Sequence, residues 1–204
     1  MIELYAAGTS NGMRARIALE ECGLAYQFHP IDLAKGENRT PQFLAMNPFG
    51  AIPVLKDSDG PGGKPVLISQ STAILLYCAE KTGRYLPKDP AARPAMLEAL
   101  MRASTDLTPM FGAVTVASRM KTPDPATVAE FRGRLQGQFR TWDGILAAQR
   151  YAAGAELTIA DLSLYAGYWR TKGAMPDLVA GNPNLERWAA EMASRPAIQK
   201  AVKL

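Results

Sequence analysis

The sequence is poor in the side chains from which most nucleophilic and metal chemistry is built. It holds one histidine, His29, and two cysteines, Cys22 and Cys78. A site assembled from imidazole and thiolate needs three or four such ligands, so no metal is expected. The cysteines are far apart and each falls in an apolar helical pattern, so both read as buried thiols, not as a disulfide or a metal pair. His29 alternates within a predicted strand, where a packed or half-exposed ring is the ordinary outcome. No apolar run reaches the length of a membrane span, and the N-terminal MIELYAAGTSNG lacks the basic start and long apolar segment of a secretory signal. These absences predict a soluble, cytoplasmic chain with no membrane partner. A strong charge of one sign is also missing. The net charge is +4, with eight basic and eight acidic residues in 1–87 and fifteen against eleven in 88–204. The basic residues of the second part are spaced helically among acids and glutamines and not interleaved with aromatics. That describes solvated helix faces and excludes a nucleic-acid surface, while leaving room for a small anionic ligand.

With 204 residues, 48% of them apolar, the chain can bury a substantial core. Residues 2–6 (IELYA) read as a strand, 13–22 as an amphipathic helix stopped by Gly23, and 26–32 as a second strand. Thr40-Pro41 is a cap followed by proline at the first helical position, opening a short helix through Met46. Residues 52–56 and 66–69 are apolar runs separated by DSDGPGG, a hairpin loop. A helix runs from about Gln70 to a stop at Gly83. The order is βαβ, a short helix, then ββα. Beyond a proline-bearing connection the strand signal is gone, and helices are expected at 91–120, 126–149, 159–173 and 184–194, with a short piece after Pro196. Pro109 should kink or break the first of these. Thr158-Ile-Ala-Asp161 has the form of a capping box, a folding signal and not chemistry.

Three separated segments carry residues suited to binding. Thr9-Ser10-Asn11-Gly12 opens the first helix with cap-type side chains, and a helix N-terminus favours an anion. At Ile52-Pro53 a proline opens a strand, and a cis bond there leaves the backbone of Ile52 free to pair with an extended ligand. Ser69-Gln70-Ser71 precedes another helix. Two helix N-termini and an exposed strand edge suit a short anionic peptide.

The segments Q-S-x-A-I-L at 70–75, N-P-x-x-x-I-P at 47–53, T-I-A-D at 158–161 and N-P-N-L-x-R-W near the end occur in the order found in cytosolic glutathione transferases, which the chain resembles over essentially its full length. Within that superfamily T-x-N-G-x-x-x-x-I-A-L-E-E and H-P-I-D-L-x-K-G-E are most similar to the bacterial nu-class and Ure2-like members. The resemblance implies a thioredoxin-like α/β glutathione-binding domain over 1–84, a linker at 85–90 and an all-helical domain over 91–204. It implies glutathione as co-substrate, a homodimer, and a hydrophobic, peroxide or disulfide second substrate. It places the sulfur at Thr9, Ser10 or Asn11. The rest of the tripeptide falls at Asn38, Ile52, Pro53, Gln70 and Ser71. Nu-like proteins have proline where this chain has Ser10, which leaves open which of the three side chains meets the sulfur. Met13, Met110 and Phe111 read equally as the lining of a second-substrate pocket or as core. Arg132 and Arg134 read as solvated or as reaching a neighbouring subunit's glutathione. The implied activity is ionisation of glutathione and use of its thiolate for disulfide or peroxide reduction or for conjugation to an electrophile. The alternative is a non-catalytic binding or regulatory module of the same fold.

Overall fold

A computed structural model describes residues 1–203. The chain forms two compact units, one of Met1–Leu86 together with the segment from Arg195 onward, the other of Pro87–Ser194. In the first, β1 (Ile2–Ala6), α1 (Ser10–Cys22) and β2 (Tyr26–Pro30) are followed by α2 (Pro41–Met46), β3 (Val54–Asp57), β4 (Val66–Ser69) and α3 (Ser71–Thr82). The sheet order is β2-β1-β3-β4, with β1 parallel to β2 and the other pairs antiparallel. This is the thioredoxin-like arrangement. The alternation of β1 turns Ile2, Leu4 and Ala6 into the core with Val54, Leu55, Ile74 and Leu75. Gly23 and Gly83 end α1 and α3 in the left-handed conformation that glycine adopts without penalty.

The second unit is helical: α4 (Arg93–Met101), a π segment (Arg102–Leu107), α5 (Thr108–Arg119), α6 (Pro125–Ala148), α7 (Ile159–Ala174) and α8 (Pro183–Ala193). Its core holds Phe139, Tyr168 and Trp188 in edge-to-face contact. The capping box at Thr158 and Asp161 is formed, and buried Asp161 also accepts hydrogen bonds from Ala152 N (2.7 Å) and Trp188 Nε1 (3.0 Å). The expected interruption at Pro109 takes another form. The helical path widens into π turns before the proline, Thr108 Oγ1 bonds to Ala103 O at 3.1 Å, and Pro109 stands where the α register restarts and its missing N–H is not needed. Among the described residues no helix is long and apolar enough to cross a membrane.

The compact units divide the chain differently from the expected domain limits at both ends. Tyr85 and Leu86 belong to the first unit, and α9 (Pro196–Val202) leaves the helical unit to pack on α1. The cause is a set of side chains without local sequence signature. Arg195 makes a two-pronged ion pair with buried Glu21 (2.6 and 2.7 Å), Tyr85 donates its hydroxyl proton to the same carboxylate, Lys200 pairs with Glu20, and Ile198 and Ala201 are buried. Burial works to raise the Glu21 carboxyl, but the bonds from Arg195 and Tyr85 outweigh it and hold its pKa below the ordinary value. Its contribution to stability is therefore complete at neutral pH and is lost as pH falls below the ordinary glutamate range. Replacing Arg195 by Met leaves Glu21 buried without its partner. We expect a loss of about 2–3 kcal/mol in urea unfolding at pH 7, shrinking as the pH is lowered toward 4 (roughly the unperturbed glutamate pKa).

Candidate ligand site at the start of two helices

The turn after β1 is fixed by its own hydrogen bonds. Thr9 N donates to Ala7 O (2.8 Å), and Thr9, in extended conformation, caps α1 by accepting Gly12 N–H on Oγ1 at 3.1 Å. The cap places the start of α1 at Ser10, three residues ahead of the apolar periodicity that predicts Met13. Gly12 is required by closeness: a Cβ there would lie 2.0 Å from Ala7 O. The first turn of α1 thus rests directly on the chain leaving β1.

Pairing of Tyr5 with Val54 and of Val54 with Ser69 brings the ends of β1 and β4 and the start of β3 to one end of the sheet. Thr9–Gly12, Ile52–Pro53 and Gln70–Ser71 meet there. The Ile52-Pro53 bond is cis. The loop before it is held from two sides, by Asn38 Nδ2 on Gly50 O (2.6 Å) and by Asn47 Nδ2 on Ala51 O (2.7 Å). Gly50 adopts φ 61°, and a Cβ there would meet Arg39 Nη1 at 2.5 Å. Gln70 is exposed with φ 73° and ψ 112°, a conformation costing a non-glycine residue about 1–3 kcal/mol. Such strain is retained where the backbone direction matters, and here it aims the first N–H groups of α3 at the same end of the sheet.

The α1 and α3 N-termini are joined by side chains. Ser71 Oγ lies 3.2 Å from Asn11 Oδ1, and Arg14 Nη1 donates to both, at 2.8 Å to Asn11 Oδ1 and 2.7 Å to Ser71 Oγ. Arg14 is 1% exposed. Burial pushes its pKa down to about 10, which leaves it charged at neutral pH. A buried cation between two helix N-termini makes this a region of positive potential, suited to an anion. Arg14 is the residue the sequence reading missed. Its spacing from Asn11, one helical turn, was the available signal.

The other candidates divide. Thr9 and Asn11 are half-buried and Ser10 is buried at 7% exposure. Among the described residues no loop hydrogen bond ends on the backbone of Ile52. Asn38 braces the loop before Ile52. Met13 is 1% exposed and offers a ligand no surface, so its place is in the core. Met110 and Phe111 are half-buried on α5, with the Arg170 guanidinium 5.7 Å from the Phe111 ring centre. Arg132 and Arg134 pair with Asp177 and Glu130 at the surface. His29 stacks on Tyr5, with ring centres 4.4 Å apart. Cys22 and Cys78 are free and buried, and burial raises both thiols above their ordinary pKa.

Family models for the N-terminal and C-terminal domains of glutathione S-transferase match residues 10–81 and 125–191. The chain is 32% identical to the disulfide-bond oxidoreductase YfcG of Escherichia coli K12, over 99% of this chain and 94% of that one. It is 31% identical to glutathione S-transferase 3 of Zea mays, over 98% and 93%. A glutathione transferase family member from Pseudomonas fluorescens, solved with two glutathiones bound, superposes with TM-score 0.93 at 30% identity, covering 99% of this chain and 92% of that one. A glutathione transferase from Pseudomonas putida, with one glutathione disulfide per subunit, gives 0.91 at 30% identity, covering 100% and 91%.

The contact between α1 and the chain leaving β1 can be tested without any ligand. Gly12→Ala must displace either Ala7 or the first turn of α1. We expect a loss of about 2–3 kcal/mol, read as a lower urea midpoint with an unchanged m-value.

Proposed function

Because the chain belongs to the glutathione S-transferase family, we propose that it binds glutathione where α1 and α3 begin, holds its sulfur as a thiolate, and uses it to reduce disulfides. The observation that carries this reading is the pattern of hydrogen-bond donors around Thr9, Asn11 and Ser71. Thr9 Oγ1 accepts from Gly12 N–H and donates to no protein group in the described structure, so its proton is available to an anion. Asn11 has its oxygen engaged by Arg14 and Ser71, which leaves its NH2 end to donate. The γ-glutamyl end falls to Gln70 and Ser71 and the cysteinyl backbone to Ile52 beside Pro53. The glycyl carboxylate lies toward Asn38.

The protein's part in catalysis is then electrostatic. A free thiol titrates near 8.5, and donors at a helix N-terminus lower that by one or more units. The glutathione thiolate attacks one sulfur of a disulfide, forming a mixed disulfide and releasing a thiolate that takes up a proton. A second glutathione thiolate attacks the glutathione sulfur of the mixed disulfide and expels the other substrate thiolate, which takes up a proton. The substrate has then gained two electrons as two thiols, and glutathione disulfide leaves as the oxidised product. Disulfide reduction is favoured over conjugation and peroxide reduction by the activity for which YfcG is named and by the glutathione disulfide held by the Pseudomonas putida protein. Neither cysteine of this chain is placed to take part, since both are buried with raised pKa. A homodimer belongs to the same reading, and Phe49, 83% exposed beside the site loop, is an apolar surface for a partner to cover.

Calorimetric titration with glutathione and assay of a small dialkyl disulfide test the reading. We expect sub-millimolar binding, and about tenfold weaker binding in Ser71→Ala, the worth of roughly 1.4 kcal/mol. The reduction rate should rise with pH through an apparent pKa about one or two units below that of free glutathione. Absence of binding below millimolar glutathione and glutathione disulfide would overturn it.

A further inference from the structure

An asparagine amide has an acceptor end and a donor end of nearly the same shape, and only the donor end stabilises a sulfur anion. Something must select the end that faces outward. At Asn11 two protons are aimed at Oδ1, one from Arg14 Nη1 at 2.8 Å and one from Ser71 Oγ at 3.2 Å. Arg14 also donates to Ser71 Oγ at 2.7 Å, so the three side chains form a closed ring of bonds. Guanidinium is donor-only and remains charged at neutral pH, so it tolerates an oxygen against it and never the NH2.

We propose that Arg14 is the positioning residue of the site, fixing the Asn11 amide with its oxygen inward and its NH2 toward the ligand sulfur. At 1% exposure it does not reach the ligand itself. Its effect on the thiol passes through Asn11, whose amide would otherwise turn over and present an oxygen to the anion. This rests on the glutathione reading above and assigns Arg14 its part in it.

The experiment follows the ultraviolet absorption of the bound thiolate against pH, together with the glutathione Kd, in four proteins: wild type, Arg14→Gln, Asn11→Ala and the double variant. In Arg14→Gln the bound thiol pKa should rise by about one unit, tenfold less thiolate at a given pH below it. In the Asn11→Ala background the same change should add nothing. An Arg14→Gln protein that is folded by circular dichroism and has the wild-type thiol pKa overturns the proposal while leaving glutathione binding intact. So does an equal shift in both backgrounds, which would mark a general charge effect. Wild type that fails to bind glutathione overturns the functional reading and this one with it. If Arg14→Gln does not fold, side-chain amide NMR of the wild type decides: the Asn11 NH2 signals must move as the bound thiol titrates, and their failure to move overturns the assignment.

Discussion

Two helices that start at the same end of a sheet bring two partial positive charges together, and the first unit depends on how that crowding is resolved. Here α1 and α3 pack against each other, and a guanidinium is buried between their first turns, bonded to an oxygen from each side. Burying a cation there is costly, and it adds to the potential of the helix ends instead of cancelling it. The neighbouring elements serve the same convergence. Gly12 lets α1 lie against Ala7, the β1–β3–β4 register sets Val54 beside both Tyr5 and Ser69, and Gln70 accepts a left-handed backbone to start α3 in place. Strain and positive charge concentrated at one point suit an anion there.

The parts of this arrangement written in short stretches of sequence were legible. Gly23, Gly83, Thr40-Pro41 and the hairpin loop act through local backbone chemistry, and each element they bound is present. The three segments that converge at one end of the sheet were legible for the same reason, since each is a cap, a proline or a turn. What was not legible depends on partners distant in sequence. Arg14 counts as one surface charge among eight until Ser71 is brought against it. Met13 reads as a wall or as core with equal ease, and only packing decides. The return of α9 to α1 is specified by Arg195 and Glu21, which share no pattern along the chain. Pro109 predicts a break, yet a π turn absorbs it at the cost of only a wider helix.

The two cysteines show why composition limits chemistry more firmly than it directs it. A thiol serves as nucleophile only as thiolate. Cys22 and Cys78 lie in the core, where burial opposes ionisation and no substrate reaches. His29, the one imidazole, is stacked on Tyr5 with its Nε2 3.2 Å from Glu3 Oε2. Neither residue type is therefore available at the place where the helices begin. What stands there instead is a pair of neutral donors, Thr9 and Asn11, backed by Ser71 and one buried charge.

Neutral donors backed by a buried cation suit a reactive atom that arrives from outside. A protein nucleophile needs a base to take its proton; a borrowed thiol needs only that its anion be cheaper to form when bound than when free. The requirement then shifts from proton transfer to orientation, because an amide turned the wrong way repels the charge that it should hold. Hydroxyl rotors adjust to a ligand, but an amide must be set beforehand. On that ground the ring through Arg14, Asn11 and Ser71 is the element of the site with least freedom, and the thiol's acidity should follow its geometry more closely than it follows the protein's modest net charge.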